Sequence, residues 1–351
     1  MGLFDNVLGS NQSLFKNDNA LSYEFLPKLL PFRENEQHYL ASCIKPLFNN
    51  RSGRNLLIHG PPGIGKTAAC KHVLRDLEEE TDEVEIVFVN CWQKNTTYKV
   101  LLEVCDLIGY KFTQNKKTTE LYKVVSSILN KKSVVFVFDE IDKAEELDFL
   151  YFILEEVHRK SVFLITNYKT WMLDLDERIK SRLVPELLEF KQYSLDETKQ
   201  ILKERISYAF VDGVWGDECF KLVYLKAFEA KDIRTGLFIL KESALIAEEA
   251  SSKKVLVEHV NRALSKIDEF TIKSVDLLEE ETQLIYELVK KGSGSKIGDL
   301  FKEYQKRGGG SSYKTFQRKI AKLEEASFIS TKKKTGAGGN TTIVEKKITD
   351  F

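Results

Sequence analysis

Four short apolar, β-branched runs punctuate the first half of the chain, at residues 56–59, 86–90, 134–138 and 162–166. Longer stretches with helical spacing separate them, so the pattern predicts repeated strand–helix–strand crossovers and a parallel sheet covered on both faces. A weaker fifth strand is expected at residues 187–190. The crossover from Asn90 to Val134 is long enough for two helices where one would suffice, the mark of an insertion. From about Tyr193 to Ile267 strand signals vanish. There Ile233, Leu237, Leu240, Ala244 and Ala247, spaced 4, 3, 4 and 3, predict the buried stripe of a helix. The pattern breaks around Asp268 to Asp276, and three domains are expected: an α/β P-loop base over 1–190, an all-α lid over 191–270, and a third domain over 271–351.

Residues 281–351 read as helix, helix, turn, helix and hairpin. Tyr313, Phe316, Ile320 and Leu323 are spaced 3, 4 and 3 and predict one buried face, with Lys314, Arg318 and Lys322 on the opposite side. Strand-like residues 328–331 and 342–344 flank a loop containing Lys332, Lys333 and Lys334 and ending in a glycine-rich run. This is the pattern of a winged helix-turn-helix, whose basic helix enters a major groove while the lysine-rich wing follows the backbone or minor groove. A protein-binding winged helix with a solvated basic face fits the same spacing.

Composition narrows the choice. A chain of 351 residues with 42% hydrophobic residues is too long for one core and too apolar for disorder. Its 53 basic and 53 acidic residues balance, yet residues 282–351 hold 15 Lys+Arg against 7 Asp+Glu, so +8 at the C-terminal end faces −8 elsewhere. A basic end suits a polyanion. Five cysteines without a C-x-x-C pair support neither a disulfide framework nor a zinc site and fit a reducing cytosol. The longest apolar run is about five residues, short of the roughly 20 a bilayer needs, so a soluble, cytoplasmic, nucleoid-associated protein with no membrane partner is expected.

Chemistry is concentrated in the sheet. Gly60, Pro61, Pro62, Gly63, Ile64, Gly65, Lys66 and Thr67 fit G-x-x-x-x-G-K-[ST] directly after a predicted strand and before a helix opening at Ala68. Such a loop wraps phosphates with backbone N–H groups, Lys66 reaches the β and γ phosphates, and Thr67 ligates Mg²⁺. The strand at 134–138 ends in Asp139 and Glu140: Asp139 suits the Mg²⁺ shell, and Glu140 the activation of an attacking water. An acidic pair there can also serve only to cap a helix. Asn167 follows the next strand, as a γ-phosphate contact or as a turn residue. Asp232 is placed to cap a helix, and Arg234 to reach a γ-phosphate or to form a surface ion pair. The guanine-reading N-K-x-D motif is missing, so ATP/ADP is favoured.

Together these residues resemble the AAA+ ATPases and, within them, the archaeal origin-recognition and licensing (Orc/Cdc-type) replication initiators, over nearly the whole chain from about Ala20. The resemblance implies Walker A at Lys66 and Thr67, Walker B at Asp139 and Glu140, sensor 1 at Asn167 and sensor 2 at Arg234. It implies that the segment holding Pro27 and Arg33 borders the adenine, that residues 97–101 belong to an initiator-specific DNA-contacting segment, and that Arg178 or Arg182 is an arginine finger acting in trans. Lys231 stands where the family usually has glycine, and Gly236 where alanine is common. The function implied is ATP-dependent binding of double-stranded origin DNA with recruitment or loading of the MCM replicative helicase, alongside other initiator subunits, with slow ATP hydrolysis as a switch. A P-loop transcriptional or signalling regulator with a fused winged helix is the competing reading; a clamp-loader subunit is disfavoured by the strand-rich C-terminus.

Overall fold

The computed structural model describes residues 13–276, 279–325, 328–336 and 339–346. Helix α1 (Glu34–Ile44) precedes β1 (Leu56–His59), α2 (Lys66–Glu80) and β2 (Val84–Asn90). Two helices, α3 (Thr97–Leu107) and α4 (Thr118–Leu129), fill the long crossover, as its length required. Then follow β3 (Ser133–Asp139), α5 (Asp148–Glu156), β4 (Lys160–Thr166), α6 (Glu177–Leu183) and β5 (Glu186–Glu189). All five strands pair in parallel, in the order β2-β3-β4-β1-β5.

The period of two sorts each strand between two cores. Val134, Phe136 and Phe138 of β3 and Val162 and Leu164 of β4 pack toward α3, α4 and α5. Val135, Val137, Phe163 and Ile165 pack toward α1 and α2. With both faces covered, β3 is buried at every position, which explains its unbroken apolar run.

The helical region comprises α7 (Leu195–Ala209), α8 (Asp217–Ala230), α9 (Ile233–Glu249) and α10 (Val257–Asp276). Leu237, Leu240, Ala244 and Ala247 are buried, as their spacing predicts. The expected break near 268–276 is not seen, because α10 continues through it to Asp276. Packing divides the chain into two compact units, one of Phe15–Asp212 with Tyr224–Phe238, the other of Gly213–Val223 and Ile239–Phe351 together with the chain up to Leu14.

The C-terminal part runs α11 (Glu280–Lys291), β6 (Ser295–Lys296), α12 (Ile297–Lys306), α13 (Tyr313–Glu325), β7 (Ile329–Gly336) and β8 (Gly339–Lys346), with sheet order β6-β8-β7. Helix, strand, helix, helix, hairpin is the order of a winged helix. Its core gathers Ile285, Val289, Leu300, Tyr304, Phe316, Ile320, Leu323 and Val344. Tyr313 departs from the expected buried face and is 40% exposed, since the first residue of α13 overhangs the core and touches it only edge-on, at 4.9 Å from the Phe301 ring. Among the described residues, no helix is long and apolar enough to cross a membrane.

Candidate functional site

The loop between β1 and α2 is shaped by what surrounds it. Gly63 and Gly65 have φ of 72° and 90°, a region costly for side chains. A Cβ on Gly63 would lie 1.9 Å from Asp232 Oδ1, and one on Gly65 would lie 2.7 Å from the Tyr193 hydroxyl. The first helical bond of α2 runs from the Ala69 N–H to Gly65 O. The preceding amides of Lys66, Thr67 and Ala68 are thereby left for an anion, at the positive end of the helix dipole.

Lys66 is buried, and its ammonium donates to Gly60 O and Pro61 O, both at 2.7 Å, and to Asn167 Oδ1 at 2.8 Å. Burial pushes its pKa down to about 8 against the pull of Asp139. The Thr67 hydroxyl donates to the Asp139 carboxylate at 3.0 Å. Burial raises the Asp139 pKa, opposed by Thr67, the Glu140 N–H and Lys66. Two hard oxygen donors, one of them a buried carboxylate whose charge a cation would favour, fit Mg²⁺. Glu140 follows in the left-handed region, φ 53°, and its pKa is raised by burial and by the neighbouring Asp139 and Asp142.

These groups line a cleft of about 540 Å³ at the C-terminal ends of β1, β3 and β4. Pro62, Gly63, Gly65, Lys66, Thr67, Ala68, Asp139, Glu140, Asn167, Arg234 and Pro27 all border it. Gly60, Pro61 and Ile64 act from behind, the first two through the carbonyls that hold Lys66. Arg33 does not border the cleft as expected. It is buried, donating from Nε to Ile64 O at 3.1 Å and from Nη2 to Lys191 O at 2.7 Å, with its guanidinium 3.9 Å over the Tyr193 ring. A guanidinium with this many acceptors braces the loop and is not free for a base.

Asp232 caps α9, accepting the Arg234 N–H at 2.8 Å, and also grips the Arg234 side chain through Nε at 3.1 Å and Nη2 at 3.0 Å. The cap is the one the sequence predicts, and the pairing is the ion pair it left open for Arg234 beside a γ-phosphate contact, with Asp232 now identified as the partner. Tyr193, which packs between Arg33 and Gly65, carried no sequence signal. Lys231, at the family's glycine position, has φ 57°, the conformation a glycine would relieve. A methyl at Gly236 would sit 2.7 Å from Leu202 Cδ1, so this chain has filled the alanine space with leucine.

Both arginine-finger candidates are engaged within the chain. Arg178 pairs with Asp176 at 3.0 Å, and Arg182 pairs with Glu155 while lying 4.9 Å over the Tyr151 ring. Arg178, 74% exposed against 35%, is the more accessible. On α13, Lys314, Arg318 and Lys322 are exposed opposite the buried Phe316, Ile320 and Leu323. Lys332, Lys333 and Lys334 are not in a loop: their backbone lies in β7, opposite Ile343, Thr342 and Thr341 of β8. The hairpin ladder runs on to Gly336↔Gly339, and backbone pairing overrides the weak strand preference of lysine. The side chains of these three lysines lie outside the described residues.

A family model described as an AAA domain matches residues 50–169, and one described as the Cdc6 AAA+ ATPase-type lid domain matches residues 199–265. The chain is 33% identical over 301 residues to the ORC1-type DNA replication protein 1 of Archaeoglobus fulgidus, an alignment covering 81% of this chain and 73% of that protein. It is 27% identical over 361 residues to the ORC1-type DNA replication protein 2 of Methanosarcina mazei, covering 98% and 96%. Among solved structures, the Aeropyrum pernix ORC1 protein in complex with DNA superposes with a TM-score of 0.70 at 25% identity, over 96% of this chain and 95% of that one. The chain therefore belongs to the archaeal ORC1-type DNA replication proteins, built on an AAA+ domain with a Cdc6-type lid.

Proposed function

We propose that this chain is an ATP-controlled replication initiator that binds double-stranded origin DNA and helps recruit or load the MCM helicase. The observation that carries the reading is the pair of bonds Lys66–Asn167 and Thr67–Asp139, which join the phosphate loop to the ends of β4 and β3 around one cleft. In this reading the first-turn amides of α2 and the Lys66 ammonium hold the nucleotide phosphates. Thr67 and Asp139 hold Mg²⁺, which when bound supplies charge neutralisation at the phosphates. Glu140, more basic than an ordinary carboxylate, accepts the proton of the attacking water, and Asn167 orients that water. Arg234 exchanges the Asp232 carboxylate for a γ-phosphate, two acceptors of like charge and geometry. Hydrolysis is slow and resets the DNA-bound state. An arginine finger from a neighbouring initiator subunit, Arg178 or Arg182, would first release its present partner.

The duplex is gripped by the exposed Lys314, Arg318 and Lys322 face of α13 in the major groove, with Lys332, Lys333 and Lys334 along the backbone. Residues 1–190, 191–270 and 271–351 work as base, lid and DNA-binding parts of a cytoplasmic, nucleoid-associated protein. Similarity to a relative whose structure was solved in complex with DNA supports this reading. Footprinting on the chain's own chromosome, with and without ATP, tests it. ATP-dependent protection at replication origins is expected, whereas protection at scattered promoters would make the protein a transcriptional regulator.

A further inference from the structure

A second cleft, of about 610 Å³, opens among α3, α4 and α5, and the nucleotide reading leaves it unused. Four carboxylates line it: Glu146, Asp148, Glu155 and Glu156. So do the rings of Tyr98, Tyr122 and Tyr151, with Tyr122 stacked on Phe152 at 4.0 Å. Thr97, the first residue of α3, also lines it. It is 4% exposed and its Oγ1 has no hydrogen-bond partner, although its N–H donates to Glu146 Oε2 at 2.9 Å. A buried hydroxyl left unpaired at the wall of an acidic cleft calls for a polar ligand.

The chain shows at the rim which ligand suits this lining. Arg182 lies over the Tyr151 ring and pairs with Glu155. Arg178 stands 5.8 Å from the centre of the same ring and shares its charge with Asp148, while Glu146 and Glu156 hold no ion pair among the described residues. A guanidinium satisfies both halves of such a surface, because it stacks on aromatic faces and forks to carboxylates, which an ammonium does less well. A resident metal is disfavoured, as no three acidic, histidine or cysteine side chains among the described residues converge to hold one. The acids also disfavour a polyanion such as nucleic acid as the occupant of the cleft itself.

We propose that the cleft between α3, α4 and α5 is a docking site for an arginine side chain presented by a protein partner, seated between the tyrosine rings and the carboxylates of Glu146, Asp148 and Glu156. The test uses the full-length protein and a fluorescein-labelled hexapeptide carrying two arginines in a glycine background, with its two-lysine counterpart, read by anisotropy. The arginine peptide should bind at least tenfold more tightly than the lysine peptide. Asp148→Asn combined with Glu156→Gln should weaken it tenfold or more while leaving the melting temperature and the affinity for a fluorescent ATP analogue unchanged. Glu156→Gln alone, at an exposed position, should give an intermediate loss if the double variant folds poorly. Equal binding of the two peptides, or full binding by the variants, would overturn the proposal. So would a concentration-dependent dimer that the double variant abolishes, which would make a second copy of the chain the occupant, or duplex DNA protecting the cleft in footprinting.

Discussion

Lys66 directs its three N–H groups to Gly60, Pro61 and Asn167, so a phosphate entering the loop has to replace at least one of these acceptors. Lys66→Ala is expected to lower ATP affinity by about two orders of magnitude or more in calorimetry, because a buried charge-assisted bond to phosphate is removed. Glu140→Gln should keep ATP binding and lose turnover by roughly 10²- to 10⁴-fold in a single-turnover assay; unchanged turnover would remove Glu140 as the base. The Lys66 pKa of about 8 against an ordinary 10.5 gives a pH signature. Bound phosphates favour the charged ammonium, so nucleotide binding near pH 8 should take up protons, and affinity should fall as pH rises through that value. Calorimetry in two buffers of different ionisation enthalpy measures the uptake. In the nucleotide-free protein, the unfolded chain holds this proton more strongly between about 8 and 10.5, so Lys66 makes the fold gain stability with rising pH across that window. Two left-handed residues differ in meaning. Glu140 carries its strain inside the cleft, whereas Lys231 ends α8 in a left-handed cap, its N–H donating to Phe228 O and that of Asp232 to Ala227 O; glycine makes this cap without strain, and Lys231→Gly should add about 1 kcal/mol in urea unfolding.

At the scale of elements, periodicity works wherever a segment is packed on a defined face. The alternation along β3 and β4 assigns each side chain to its core, and the 3-4-3 spacing on α13 buries Phe316, Ile320 and Leu323. Phe316→Ala should cost about 3–5 kcal/mol, because the cavity would open against Phe301 and Tyr304, and the loss is readable by thermal unfolding. Periodicity misjudges ends: Tyr313 overhangs its core, α10 outruns its expected stop, and three consecutive lysines lie in a strand. In each case packing or ladder pairing outweighs what local composition suggests. Replacing Lys314, Arg318 and Lys322 by alanine should leave ATP affinity intact and shallow the log–log salt slope of DNA binding by about 0.9 for each phosphate no longer neutralised. An unchanged slope would take α13 off the DNA.

For the whole molecule, the core drawn from residues 285–344 closes on itself, and α10 ends at Asp276 just before it. Truncation after Asp276 should therefore keep ATP affinity within about threefold while removing most affinity for duplex DNA; a truncated chain that grips DNA as well as the full one would put the interface elsewhere. The five strands, the phosphate loop and the Asp139-Glu140 pair could be read directly, because each is a contiguous run whose period or residue order is itself the signal. The pairings that turn them into a site could not. Lys66 meets Asn167 across 101 residues, and Thr67 meets Asp139 across 72, because β4 lies between β1 and β3 in the sheet. Arg33 behind the loop, Asp232 against Gly63, and the acidic tyrosine cleft beside α3 depend on the same order. Sequence by itself determined which segments become strands and helices and which residues carry the chemistry, since those follow from neighbours along the chain. Tertiary structure alone decided which of those residues meet, because strand order and helix packing are settled by burial between distant segments, on which local periodicity is silent.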